Sequence, residues 1–412
     1  MSNPLSMALG IGEYDVLEVH EDQKELLILI GWRRETWRCP DCGSAEVHGH
    51  GRHTRFWRTV PIGLKLTRLA MDVPRIKCLD CDQVRVLQPT IAVDMRRHTI
   101  AFERYVGEML RYVTPTDLSR HLGISWETVN LIDQRRLEAL PRPKLSQLKY
   151  IAVDEIYSGK RHKFLTVVLD LETSVVVFVG DGRGAEALRP FFERLRQSKA
   201  KLAAISMDMS GGYKKAVREH LPKVPVIFDR FHVIKLMNEK LSDLRRELAR
   251  EATEKLQVKV LKGIRWLLLM GEETLDSPLR KSRRKADAAS DRERLDAALI
   301  LNKPLATAYY LKEKLRLFWA RGTKAAADKW LNSWLKQAEA SGIRVLMTMA
   351  KTLREHRAGL LAWYDHPIST GPLEGINNKI KLIQHRAYGY RNAEHFKLRI
   401  LNLHHTRHAL IG

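Results

Sequence analysis

The sequence predicts an α/β chain in which a mixed sheet with crossover helices is interrupted by a large all-helical insertion and preceded by two smaller modules. Three observations carry that prediction. All four cysteines fall before residue 82, in two C-x-x-C pairs. A helical pattern with a central glycine follows over 98–140. From residue 150 the text turns to short apolar runs, several of which end in aspartate.

Bulk composition sets the limits. The chain has 412 residues, enough for two or three domains, and its 44% hydrophobic share supports real cores. Lys and Arg outnumber Asp and Glu by 71 to 48, a net charge of +23. That excess favours a polyanionic partner, with nucleic acid first and an anionic membrane surface second. It is spread along the chain, as suits a long binding surface. No run approaches the ~18 apolar residues of a membrane span. Segment 1–19 lacks a basic start and a sustained apolar stretch, so no signal peptide is expected and the chain is expected in the cytoplasm. A disulfide framework does not fit so few cysteines in that compartment.

The first block, 1–95, reads as a zinc ribbon. Cys39 and Cys42 in CPDC, and Cys78 and Cys81 in CLDC, each put two thiolates on one side of a tight knuckle. Gly43 supplies the open backbone that the first knuckle needs. Two knuckles close an all-cysteine, tetrahedral, structural Zn²⁺ site, which leaves no open position for catalysis. Four unliganded thiols or a redox pair is the competing reading, and the pairing of every cysteine argues against it. Between the knuckles, 55–77 (RFWRTVPIGLKLTRLAMDVPRIK) alternates apolar and basic positions as strands do. Arg52, Arg55 and Arg58, with His48, His50 and His53 and interleaved Phe56 and Trp57, suit DNA phosphates or bases. A solvated basic face reads the same way.

The second block, 96–145, reads as a helix-turn-helix. Leu118, Leu122, Ile124, Val129 and Ile132 suit two packed helices, and Gly123 falls at the turn between them. Ser125 can cap the second helix, with Thr128 three residues on. That helix, 126–137, is the expected reader of a major groove. Ser125, Trp126, Thr128, Asn130 and Arg135 are its candidate DNA contacts. Pro141 and Pro143 mark the linker that follows.

The third block, 146–234, carries the chemistry. Strands are expected at 150–154, 163–170, 174–180, 202–208 and 224–229, with helices at 184–195 and 211–220. The order βββαβαβ is that of an RNase H-like fold. Asp154 and Asp208 close the first and fourth strands. Two carboxylates side by side repel in a low dielectric, and a hard divalent cation relieves that cost. Two such ions serve in-line displacement at phosphorus. An aspartate at a strand end also serves as a turn or helix cap.

Residues 235–366 read as helix throughout and too long for a loop, hence an inserted helical domain. Its tryptophans, Trp266, Trp319, Trp330, Trp334 and Trp363, are expected in the core. The basic run 279–285, LRKSRRK, reads as a solvated connection or a phosphate contact. The last block, 367–412, is expected to supply the C-terminal helices of the catalytic domain. Gly371 and Pro372 suit a helix start, and Leu373, Ile376, Ile380 and Ile383 form an apolar stripe. Glu374, Asn378, Lys381 and His385 share another face, which reads as a metal-and-DNA surface. Equally, Glu374 reads as an acid that favours the helix N-terminus.

These segments together resemble the zinc-ribbon DDE transposases of bacterial insertion sequences, the IS-L-three group. The resemblance rests on the two cysteine knuckles, AVDE at 152–155, SMDMSGGYKKAV at 206–217, VIFDRFHVIK at 226–235 and TGPLEGINNKIKLIQHRAYGYRN at 370–392. It covers nearly the whole chain. It implies a catalytic triad of Asp154, Asp208 and Glu374 holding two Mg²⁺ or Mn²⁺ ions. Asp229 and His232 match a D-x-x-H element that implies a supporting role, and Asp229 competes with Asp208 for the place of second acid. Asn378, Lys381 and His385 join them as supporting residues. The implied activity is cleavage at terminal inverted repeats followed by strand transfer, by a dimer or larger assembly on double-stranded DNA at the nucleoid. A DNA-binding regulator without catalysis, and an RNase H-like nuclease without strand transfer, are the competing functions.

Overall fold

The computed structural model describes residues 4–159, 164–209, 211–275 and 290–406. It divides into two compact units. One comprises Met1–Pro141, His385–Asn402 and Thr406–Gly412; the other comprises Arg142–Gln384 and Leu403–His405. The basic run 279–285 lies outside the described residues.

The first unit opens with a five-stranded sheet. Strands β1 (Tyr14–Glu21), β2 (Glu25–Trp32), β3 (Val47–Arg58) and β4 (Leu66–Cys78) lie in the order β1-β2-β4-β3, and β5 (Val84–Val86) pairs with β4. The expected strand text at 55–77 forms the end of β3 and nearly all of β4, which pair antiparallel. The sheet extends beyond a ribbon because β2 buries alternate residues, Leu26, Ile28 and Ile30, and adds parallel to β4. These pack with Tyr14, Trp57, Leu69, Met71 and Val73.

Three helices follow, Ile100–Met109, Pro115–Leu122 and Trp126–Ala139. Phe102, Val106, Leu118, Leu122, Val129 and Ile132 form their core. Gly123 turns the chain with φ of 61°, a left-handed value that favours glycine. Ser125 Oγ accepts from the Thr128 N–H at 3.1 Å, the expected cap.

The block 367–412, expected to supply the C-terminal helices of the catalytic domain, divides between the two units. Helix Ala393–Leu401 packs on Trp126–Ala139 within the first unit. The cause is a buried polar cluster: Asp133 takes the His395 ring at 2.5 Å and the Arg399 guanidinium at 2.7 Å. A buried carboxylate needs such partners, and no local sequence signal announces them.

The second unit holds the RNase H-like sheet. Strands β6 (Tyr150–Tyr157), β7 (Phe164–Asp170), β8 (Val176–Asp181), β9 (Ala204–Met207) and β10 (Val226–Phe228) take the order β10-β9-β6-β7-β8. The first three form the antiparallel meander, and β9 and β10 add parallel beside β6. Helices Ala185–Gln197 and Gly211–His220 make the crossovers. Gly180 is needed where β8 meets the first of these, since a Cβ there would stand 2.3 Å from the Ala187 carbonyl oxygen.

The helical insertion is not separately cored. Helix Arg230–Glu251 starts directly after β10 and buries Val233, Met237 and Leu241 in the same apolar cluster as Val153 and Met207. That cluster continues through Leu305, Trp334 and Leu360. Trp334 is fully buried, and its Nε1 donates to the Leu311 carbonyl at 2.9 Å. Trp319 is buried too, but Trp266 is 63% exposed and departs from the expected core role. Its neighbour Arg265 lies over the ring, so the indole is shielded by a cation and not by the interior.

Candidate active site and DNA-contacting surfaces

The cysteine site is built from two backbone knuckles. The Cys39 N–H donates to the Ser44 carbonyl and the Gly43 N–H to the Cys39 carbonyl, while the Cys78 N–H donates to the Gln83 carbonyl. Gly43 turns at φ of 76° and Asp82 at 55°. The sulfurs of Cys39 and Cys81, and those of Cys42 and Cys78, are each 3.6 Å apart, and all four lie within 4.8 Å of one another. Tetrahedral zinc with Zn–S bonds of about 2.3 Å needs sulfurs about 3.8 Å apart, so the donor set fits. The Cys42 backbone N–H is the largest influence drawing the Cys39 thiol down to about 7, toward the thiolate that a metal takes.

The carboxylates are positioned by strand register. β6 and β9 run parallel with Ala152 opposite Ser206. Asp154 and Asp208 each lie two residues further on; Asp208 directly follows β9, whereas β6 runs on to Tyr157, so Asp154 sits within its strand and does not close it as the sequence suggests. β10 continues the series, with Phe228 opposite Met207 and Asp229 next. Burial raises the Asp154 carboxyl above its ordinary value, and Asp208 adds to the rise; the Glu155 N–H, His232 and Asn377 oppose it. Burial also raises Glu155, with the charge of Asp208 next, against Arg183 and Lys235. Crowded acids of this kind are what a divalent cation relieves, so the donor set fits one. Tyr213 is buried beneath them, shares a hydrogen bond with Thr166 at 2.9 Å, and is pushed by burial to about 12.

Asp229 is held by backbone donors. It is 2% exposed, and its carboxylate accepts from the Phe231 N–H and from the Thr370 N–H, both at 3.0 Å. It caps helix Arg230–Glu251 and holds the residue just before helix Gly371–Arg386. Both oxygens are therefore engaged by backbone. His232 is half-buried and close enough for its charge to act on Asp154.

Helix Gly371–Arg386 carries Glu374 in its exposed first turn. Sequence periodicity groups Glu374 with Asn378, Lys381 and His385, and all four are exposed. The residue that reaches the acids is instead Asn377, buried, whose Nδ2 donates to Asp154 Oδ2 at 2.8 Å. Its amide lies one turn after Glu374, on the side that meets the sheet. Sequence reading missed Asn377 and Glu155, although each stands beside a candidate acid or amide in AVDE and INNK. His385 falls in the first unit, with the helix-turn-helix.

The candidate DNA contacts divide in the same way. Arg52, His48, His50, His53 and Phe56 are exposed on β3, and Arg55 lies 4.9 Å over the buried Trp57 ring. Arg58 is spent within the unit: it donates to the Leu122 carbonyl at 3.1 Å and lies over Phe102. Ser125 and Thr128 cap their helix and are exposed and half-buried respectively. Arg135 is half-buried. Trp126 and Asn130 lie with Gln134 along the side that lines a cleft with the C-terminal segment, and Asn130 Nδ2 donates to the Trp126 carbonyl.

A zinc ribbon, a helix-turn-helix and an RNase H-like sheet with acids on adjacent strands point to a DNA-acting transposase. The comparisons with known proteins agree. Residues 151–400 match the family model described as transposase, in its ISL3 branch. Residues 35–81 match the zinc-finger of transposase IS204/IS1001/IS1096/IS1165, and residues 89–137 the helix-turn-helix domain of transposase family ISL3. The chain is 34% identical over 368 residues to the transposase for insertion sequence element IS1001 of Bordetella parapertussis, covering 88% of this chain and 87% of the relative. It is 29% identical over 386 residues to the transposase for insertion sequence element IS1557 of Mycobacterium tuberculosis, covering 87% and 83%. Among solved structures it is similar to the Drosophila P element transposase strand transfer complex, at 12% identity and a TM-score of 0.34, covering 73% of this chain and 91% of that one. The chain belongs to the ISL3 family of insertion-sequence transposases, enzymes that cleave DNA and transfer the cut strand. No helix among the described residues is long and apolar enough to cross a membrane.

Proposed function

We propose that Asp154, Asp208 and Glu374 form the metal-binding triad of this transposase. The observation that carries the reading is the register of β6 and β9, which sets Asp154 and Asp208 side by side, joined to helix Gly371–Arg386 by the Asn377–Asp154 hydrogen bond. Two Mg²⁺ or Mn²⁺ ions bound there would activate the attacking oxygen and stabilise the leaving one. The chain's own residues do the rest. Asn377 orients Asp154, and Asp229 anchors the start of the Glu374 helix by holding the Thr370 N–H. His232 and Lys235 offset the acidic charge. Lys381 and Asn378 are exposed on the Glu374 helix and available to DNA phosphates.

The substrate is double-stranded DNA at the terminal inverted repeats, read by residues 100–139 and by Arg52 and Arg55, with Ser125, Thr128 and Arg135 on the second helix. Water attacks first, and the freed 3′-hydroxyl then attacks target DNA. Two ends must meet, so the working form is a dimer or larger assembly on DNA, and the place of action is the nucleoid. The test combines purified protein, a labelled end duplex, a supercoiled target and Mg²⁺ or Mn²⁺. Joined product is expected from the wild type and none from Asp208→Ala or Glu374→Ala. Strand transfer by Asp154→Ala at the wild-type rate would overturn the triad.

A further inference from the structure

The segment 385–392 is built more firmly than a connection requires. Tyr388 is 92% exposed, yet its backbone is left-handed at φ of 52°. That conformation is costly for a bulky side chain and persists only where surroundings impose it. Gly389 follows at φ of 95°. The surroundings are visible on both sides. Before the turn, Arg386 donates to the Tyr112 carbonyl. After it, Tyr390 stacks on Phe396 with centroids 4.7 Å apart, and Asn392 caps helix Ala393–Leu401 while donating to Gln134 at 3.4 Å. The Asp133–His395–Arg399 cluster then locks that helix to the second helix of the helix-turn-helix.

The anchored turn presents Tyr388 and Arg391 beside the end of the helix expected to read DNA. Arg391 is exposed and lies 5.8 Å over the Trp126 ring. Between turn and helix runs a cleft of about 340 Å³ whose wall includes Trp126, Asn130, Gln134, Gly389, Tyr390 and Arg391. Glu127 is the one acid among its lining residues. Arg386 and Arg391 outweigh it, and Glu394 nearby is paired with Lys397.

We infer that the turn 385–392 is a second DNA-contacting element of the helix-turn-helix, with Tyr388 and Arg391 engaging the sugar–phosphate backbone of the same duplex that the second helix reads. The inference rests on the reading of residues 100–139 as the end-binding module. Its grounds are the cationic, aromatic chemistry of the turn, its continuity with that module and the strain held at its exposed tip. Phosphate contacts from such an element fix register and leave base readout to the helix.

Full-length zinc-loaded protein is titrated with a labelled element-end duplex at several salt concentrations. Arg391→Ala is expected to weaken binding about 5- to 30-fold and to lower the salt slope by about one, with Tyr388→Ala weakening it several-fold. Zinc content and melting temperature should stay at wild-type values. Arg135→Ala serves as comparator for the helix. Loss with Arg135→Ala but unchanged affinity in both turn variants overturns the inference and leaves the helix reading standing. Unchanged affinity in all three overturns both. If the turn variants shift self-association while end affinity holds, the surface serves a second copy of the chain and the inference falls. Should a turn variant misfold, Tyr388→Cys is tested for disulfide capture of thiol-modified end DNA, against Leu64→Cys on the exposed β3–β4 turn; capture equal at the two positions also overturns it.

Discussion

The cysteine site of this transposase and the acid site proposed for catalysis are held by different means. In the first unit four sulfurs stand within 4.8 Å, each knuckle closed by its own backbone hydrogen bonds. In the second unit the carboxylates come from separate strands and a helix. Asp154 is half-buried with both oxygens hydrogen-bonded, and Glu374 is exposed one turn from Asn377. Among the described residues the acids form no group as tight as the cysteines. The contrast fits the roles proposed for the two sites. A structural site contributes folding energy and is best closed, whereas a catalytic site must leave room for substrate oxygens and water.

The sharpest way to break this comparison is to remove an acid of the proposed triad. Asp154→Ala, Asp208→Ala or Glu374→Ala should each lower strand transfer by about a thousandfold or more, roughly 4 kcal/mol of barrier. End binding and melting temperature should hold. A melting transition that collapses with Asp208→Ala would make that acid structural. Cys78→Ser should do the reverse. Zinc per chain should fall from about one toward zero, with a loss of several kcal/mol from a module whose metal binding is folding energy. Calorimetry and metal analysis would read it, and a strong chelator should reproduce it.

Asn377→Ala tests the link between helix and sheet. A buried hydrogen bond to a carboxylate contributes about 1.5–3 kcal/mol, and support of a metal ligand about 10- to 100-fold in metal affinity or activity. Divalent-ion affinity measured by calorimetry should fall with strand transfer, while Asn378→Ala should leave metal affinity unchanged. Equal effects of the two would return the role to the exposed face that periodicity selects.

The smallest effect concerns pH in the first unit. Burial, then the charges of Arg58 and Arg135, hold His98 below its ordinary 6.5. The unfolded chain therefore takes up a proton that the folded chain refuses. Stability is complete above the ordinary value and is lost as pH falls through it. The melting temperature of wild type should drop by a few degrees between about pH 7.5 and about 5.5, and His98→Gln should flatten that slope. Bound DNA phosphates near Arg135 should flatten it as well. An identical slope in the variant would remove His98 from the account.

Sequence alone determined the features whose partners lie nearby in the chain or repeat with regular spacing. The cysteine pairs, the turn at Gly123 with its Ser125 cap, the βββαβαβ order and the aspartate that follows β9 are all local patterns, and each is where the text puts it, while β6 runs past Asp154 to Tyr157. Tertiary structure alone decided matters that depend on which distant groups are buried together. Two adjacent asparagines differ by about 100° around a helix, and only the docking of that helix on the sheet selects Asn377 over Asn378. Asp229 reads as a supporting residue that competes for the place of second acid, and only the fold shows that Thr370, 141 residues away, donates to its carboxylate. Only the fold shows that the Leu122 carbonyl accepts from Arg58, a candidate DNA contact, and that Asp133 draws in His395 and Arg399 of helix Ala393–Leu401. In each case a buried polar group must find partners, and burial is a property of the packed chain that no short window of sequence contains.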